Sequence, residues 1–271
     1  MKLAFSTVGC PDWSFDEIFA AAKDLGYDAI EIRGIGSEIY APKLKIFGDL
    51  QIGSTMAKLR GAKLPVSMLA SNAVIGVPEL AKEGFNEALE YIDLAKKINT
   101  PFVRLLISPQ PFPEKADLDL AVSVYSELCG QGEKSGVMPV VETNGIFADS
   151  KVLAGFMKKI KSENKGVLWD INHPVRYFGE KAEETFGNIG EYVKYLHIKD
   201  SVTDPKTKKT EYKMPGHGDL PVFEILKLMA NAGYDGVLSL EWTKRWQPEL
   251  LEPGIVFCNY VNYMRELIRD F

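Results

Sequence analysis

One rhythm constrains this chain more than any other feature. Eight short runs rich in β-branched and other apolar residues recur along its 271 residues, each followed by turn residues and then a longer helical pattern. The predicted strands are Lys2 to Thr7, Ala29 to Arg33, Pro65 to Ser71, Phe102 to Ser108, Met138 to Asn144, Gly166 to Asn172, Val193 to Lys199 and Gly236 to Trp242. Helices are predicted over Ser14 to Leu25, Glu79 to Ile98, Leu118 to Glu133, Lys151 to Lys161, Lys181 to Tyr192, Leu220 to Ala232 and Glu249 to Arg269. The first of these carries a capping box, Ser14 with Glu17 three residues on, and ends at Gly26. Gly34 to Gly61 is longer and less regular. Eight strands alternating with helices match a (β/α)8 barrel, typically ~250 residues, better than an open doubly wound sheet. No Pro-rich or Gly/Ser-rich linker divides the chain, so residues 1–271 read as a single barrel domain.

Composition narrows the function. With 32 Lys and Arg against 37 Asp and Glu, the formal charge is -5, which argues against a nucleic-acid binder. The N-terminus lacks a signal-like apolar stretch and no long uninterrupted apolar run occurs, so a cytoplasmic protein without a membrane partner is expected. Cys10, Cys129 and Cys258 are odd in number and show no CxxC spacing; they read as buried or half-buried thiols.

In such a barrel the chemistry sits at the C-terminal ends of the strands. Strand five ends in Glu142-Thr-Asn144, strand six in Asp170-Ile-Asn172-His173, strand seven in His197-Ile-Lys199-Asp200 and strand eight in Glu241-Trp242, each after an apolar run. Ionised carboxylates buried there need hydrogen bonds, a paired cation or a metal. Glu142, Asp170, His197 and Glu241 are therefore read as ligands of one divalent ion that offsets their charge. Oxygen ligands with one nitrogen suit Mn²⁺, placed first, and also Mg²⁺, Co²⁺ or Zn²⁺.

Other residues carry weaker signals. His173 is placed to meet a substrate hydroxyl, or faces solvent from its loop. Arg104 either points into the barrel mouth or forms an ion pair inside it. Lys199 binds a phosphate or carboxylate, or pairs with Asp200 or Glu241. Pro215-Gly216-His217-Gly218-Asp219 is a glycine-flanked loop suited to close approach of a ligand or to a lid, which makes His217 a substrate-binding candidate. Lys206, Lys208 and Lys209 form a solvated tip, and Trp13, Phe112, Trp242 and Trp246 either wall a sugar pocket or pack.

At Val-Glu142-Thr-Asn, Asp170-Ile-Asn-His173, His197-Ile-Lys-Asp200, Gly216-His-Gly-Asp219-Leu-Pro and Leu-Glu241-Trp, the sequence resembles the sugar phosphate isomerase/epimerase family. These are xylose-isomerase-like barrels that include D-tagatose 3-epimerase, hydroxypyruvate isomerase, inosose dehydratase and the endonuclease IV nucleases. The resemblance covers nearly the whole chain. It implies that Glu142, Asp170, His197 and Glu241 hold one metal, that Glu142 and Glu241 form an acid/base pair and that His173 binds substrate. A sugar or polyol, free or phosphorylated, is then isomerised or epimerised by proton transfer through a cis-enediolate, in an enzyme that can form homo-oligomers.

The ketose epimerases carry an arginine six residues after the metal histidine, where this chain has Thr203. The His-Ile-Lys-Asp form is more similar to the inosose dehydratase branch, so dehydration of a keto-polyol is the alternative. A nuclease or a non-catalytic sugar-binding barrel ranks below both, the nuclease because this chain has only His173, His197 and His217.

Overall fold

The computed structural model describes residues 1–269 and 271. The eight runs form parallel strands: β1 (Lys2–Ser6), β2 (Ala29–Ile32), β3 (Val66–Val74), β4 (Phe102–Leu106), β5 (Met138–Glu142), β6 (Gly166–Asp170), β7 (Val193–Ile198) and, after a two-stranded insertion, β10 (Val237–Leu240). They close into a barrel in sequential order, with β10 pairing β1. Around it lie α1 (Phe15–Leu25), α2 (Ile52–Gly61), α3 (Pro78–Ile98), α4 (Leu118–Ser135), α5 (Ser150–Lys159), α6 (Asn172–Phe178), α7 (Ala182–Ile189), α8 (Val222–Asn231) and α9 (Pro253–Ile268). No helix among the described residues is long and apolar enough to cross a membrane.

Local chemistry explains the helix ends. Ser14 Oγ accepts the Glu17 N–H at 3.3 Å while Glu17 Oε2 accepts the Ser14 N–H at 2.7 Å, and Gly26 closes α1 at φ 73°. Pro253 begins α9, a position where its missing N–H costs no helical bond, so the helix starts later than Glu249. The irregular stretch after β2 contains two short 3-10 turns and α2.

Two further elements depart from the expected pattern. The sixth strand stops at Asp170, because Asp170 Oδ1 accepts the Asn172 N–H at 2.9 Å and turns the chain into α6. After β7 the chain forms a hairpin, β8 (Asp200–Thr203) against β9 (Thr210–Lys213), with exposed Lys206, Lys208 and Lys209 at its tip. Cys10 and Cys129 are buried and free, whereas Cys258 is free but exposed, correcting the expectation for that thiol.

Strand alternation sets the barrel's interior. Met68, Ala70, Val140, Leu168 and Tyr195 form an apolar plug distinct from the larger core between sheet and helices. Side chains two residues apart share a face of a strand. Glu142, Asp170 and His197 therefore lie one layer above Val140, Leu168 and Tyr195. The same parity lifts Arg104 above Phe102 and Glu241 above the buried Ser239. The register places Asp170 directly opposite His197, and His197 opposite Ser239.

Candidate active site

Above the plug opens a cavity of about 340 Å³ lined by Arg33, Asn72, Arg104, Glu142, Asn144, His173, Lys199, Tyr212, Glu241 and Trp246, among others. Glu142, Asp170, His197 and Glu241 are all buried, and each offers one ligand atom within 4.8 Å of the others. Their donor chemistry fits a divalent ion. His197 Nδ1 is buried without a hydrogen bond, 3.6 Å from Glu241 Oε1, while Nε2–H donates to Glu31 Oε2 at 3.0 Å, which leaves Nδ1 facing the carboxylates and able to ligate an ion once it gives up its proton.

The charge accounting differs from the sequence expectation. The carboxylates are offset by two cations of the chain itself. Arg104 Nη1 lies 3.1 Å from Glu142 Oε2 and 3.3 Å from Glu241 Oε1, and Lys199 Nζ lies 2.6 Å from Asp170 Oδ2 and also contacts Glu241 Oε2. Charge compensation alone thus does not require a metal; the convergence of three carboxylates and the His197 Nδ1 on one point is the more specific sign.

Burial and neighbouring charge set the ionisation of this cluster. Burial opposes ionisation of Glu241, yet Lys199, His197 and Arg104 hold its carboxyl well below the ordinary value. Burial likewise opposes ionisation of Asp170, but His173 and Lys199 outweigh it and lower its pKa. For His197, burial disfavours the charged ring, but Glu31 and Glu241 overcome it and raise the pKa to about 9. Lys199 is raised well above its usual value by Asp170 and Glu241 against the same opposing burial.

The remaining candidates divide. His173 is buried in the cavity wall, not facing solvent; its Nδ1–H donates to Thr143 O at 2.9 Å, leaving Nε2 3.7 Å from Asp170 Oδ2. Arg104 both forms the internal ion pairs and lines the cavity. Lys199 pairs with Asp170 and Glu241, not Asp200, whose carboxylate accepts N–H groups of Ser201, Gly216, Gly218 and Leu220. That tether organises the 215–219 loop, and His217 on it is exposed and outside the cavity lining. Trp242 is also outside it: the ring is buried in the outer core and Nε1–H donates to Leu251 O at 3.0 Å. Trp246 does line the cavity, Trp13 packs on Phe257 with centroids 5.6 Å apart, and Phe112 is exposed.

Glu31, Arg33, Tyr212 and Asn72 are among the site residues that the sequence pattern did not single out. Glu31 and Arg33 belong to Ala-Ile-Glu-Ile-Arg, where charged residues at alternate places in a buried strand were a usable signal. Tyr212 reaches the cavity from the unforeseen hairpin. Asn72 lies in β3 beyond the expected end of that strand.

Comparison with known proteins agrees with this fold. The family model described as xylose isomerase-like TIM barrel matches residues 19–258. Fructoselysine 3-epimerase of Shigella flexneri is 24% identical over 260 residues, covering 92% of each chain. D-psicose 3-epimerase of Ruminiclostridium cellulolyticum is 24% identical over 252 residues, covering 85% of this chain and 79% of its own. Among solved structures, the IOLI protein with a bound zinc atom superposes with a TM-score of 0.80 at 18% identity, over 100% of this chain and 99% of the other. The closed parallel barrel, the strand-end carboxylates and the matched span lead to one assignment: the chain belongs to the xylose isomerase-like TIM barrel family.

Proposed function

We propose that this barrel is a divalent-metal-dependent sugar isomerase or epimerase that works by proton transfer through a cis-enediolate. The observation that carries this reading is the convergence of Glu142, Asp170, Glu241 and Nδ1 of His197 within 4.8 Å. An ion held by these residues would polarise a substrate carbonyl and so acidify the C–H of the neighbouring hydroxyl-bearing carbon. The rest of the chemistry falls to side chains. Glu142 and Glu241 both contact Arg104 Nη1, so they face a common centre from two strands. Glu241, held ionised, is placed to take the proton from carbon, and Glu142 faces the same centre from the other strand as its partner in acid/base transfer. His173 Nε2, oriented by the bond from Nδ1–H to Thr143, holds a substrate hydroxyl. The cavity volume suits a single sugar or polyol. Similarity to two 3-epimerases supports a ketose or a ketose conjugate as the substrate class.

Loss of water from a keto-polyol is favoured by one observation, the Lys199 ammonium between Asp170 and Glu241, which is placed to protonate a departing hydroxyl. The test is a screen of ketoses, ketose phosphates and inososes with chelator-stripped protein, before and after Mn²⁺ is added. A product of unchanged mass, formed only with metal, supports the isomerase; a product lighter by one water assigns the dehydratase. Turnover unaffected by stripping contradicts the metal-dependent reading.

A further inference from the structure

Arg33 differs from the other cations of the cavity. Arg104 and Lys199 are each held by two carboxylates, whereas Arg33, only 4% exposed, forms no ion pair among the described residues. Its Nη2–H donates to the neutral side-chain carbonyl of Asn72, and its Nη1 has no hydrogen-bond partner. Glu87 is engaged elsewhere, accepting the Asn72 backbone N–H at 2.6 Å. The indole of half-exposed Trp246 lies 5.8 Å from the guanidinium carbon. Burial and the charge of Arg104 push the Arg33 pKa down to about 10, so the group stays protonated at neutrality while lacking a counter-ion. A buried charge left without a partner is costly, and here it lines the cavity that holds the strand-end carboxylates.

We propose that Arg33 is an anion subsite: the sugar handled here carries a carboxylate or a phosphate that pairs with this guanidinium while its polyol end meets Glu142, Asp170, His197 and Glu241. The inference rests on the sugar reading of the cavity and narrows it to anionic substrates. Guanidinium suits both anions because its planar fork matches their paired oxygens. Room for the substituent lies in the cavity itself, about 340 Å³, whose lining includes Arg33 together with Asn72, Gln110 and Trp246.

The test is calorimetric titration of the Mn²⁺-supplemented protein with D-fructose, D-fructose 6-phosphate and D-fructuronate, with inorganic phosphate as a fourth probe. At least one charged sugar should bind about tenfold tighter than D-fructose, equivalent to ~1.4 kcal/mol. Preference for the phosphate or for the carboxylate tells the two sources apart. Arg33→Met should bring the preference to within about threefold, and Arg33→Lys should retain part of it by keeping the charge. Metal content, measured on both variants, should match the wild type. A wild type with no preference for either charged sugar, or an undiminished preference in Arg33→Met, overturns the proposal. If the wild type takes up no metal yet loses its preference on Arg33→Met, the anion subsite stands and only the metal-dependent reading falls.

Discussion

Replacing Glu31 by Gln should weaken metal binding at high pH while every proposed ligand residue is kept. Glu31 and His197 are both 0% exposed, and the 3.0 Å bond between Oε2 and Nε2–H is the contact that leaves Nδ1 facing the carboxylates. Gln preserves the volume and a carbonyl acceptor but removes the charge that makes the imidazole a stronger donor. Loss of such an outer partner typically costs ~10–100-fold in metal affinity, or ~1.4–2.7 kcal/mol.

The sign of the pH dependence follows from the same contact. With its folded pKa raised from 6.5 to about 9, His197 binds a proton at Nδ1 that competes with the ion, so affinity should climb as pH rises toward about 9. In the metal-free protein the raised pKa contributes stability that is full below 6.5 and lost as pH passes through about 9. Glu31→Gln should move both profiles to lower pH. Competition against a chromophoric chelator across pH reads the affinity, and urea unfolding reads the stability. Wild-type affinity in Glu31→Gln at pH above about 9, where the proton no longer competes, or an unmoved pH profile, would refute the reasoning.

The other predictions can be tested together. His197→Ala and Asp170→Asn should each abolish stoichiometric metal by elemental analysis, and full occupancy in both would remove the proposed ligand set. Glu142→Gln and Glu241→Gln should each lower turnover by at least about a hundredfold, the low end of acid/base contributions; metal content measured alongside separates lost chemistry from a lost ion. Asp200→Ala removes the acceptor of four backbone N–H groups and should destabilise the protein by about 2 kcal/mol or more in urea, while an unchanged midpoint would contradict the tether.

The barrel was legible because its signal repeats: each apolar run, followed by turn residues and a 3.6-period stripe, gives the same answer at every unit. The four strand-end residues were legible for a related reason, since a carboxylate or imidazole closing an apolar run breaks the local pattern. Glu31 was hidden by its place in the middle of a strand, where only alternation and the barrel's closure bring it across to His197, 166 residues away. The roles of Arg104 and Lys199 were open in the sequence because strand order does not say how far a long side chain reaches. Tyr212 depended on the hairpin, whose turn at Asp204–Lys209 closes a short β-pair within a lysine-rich stretch that reads as loop. His217 and Trp242, singled out in the sequence, lie outside the cavity lining. Both lie beside strong motifs, yet Asp200 holds the loop of one and Leu251 anchors the ring of the other.

Proton transfer between carbon and a carboxylate is tested most directly by NMR of the product formed in D₂O. A carboxyl group that has taken a proton from the carbon next to the carbonyl exchanges with solvent before returning it in at least some turnovers. Deuterium should therefore appear at that carbon. A hydride shift carries hydrogen directly between carbons and leaves the product unlabelled. Product without label after many turnovers would contradict the roles given to Glu142 and Glu241.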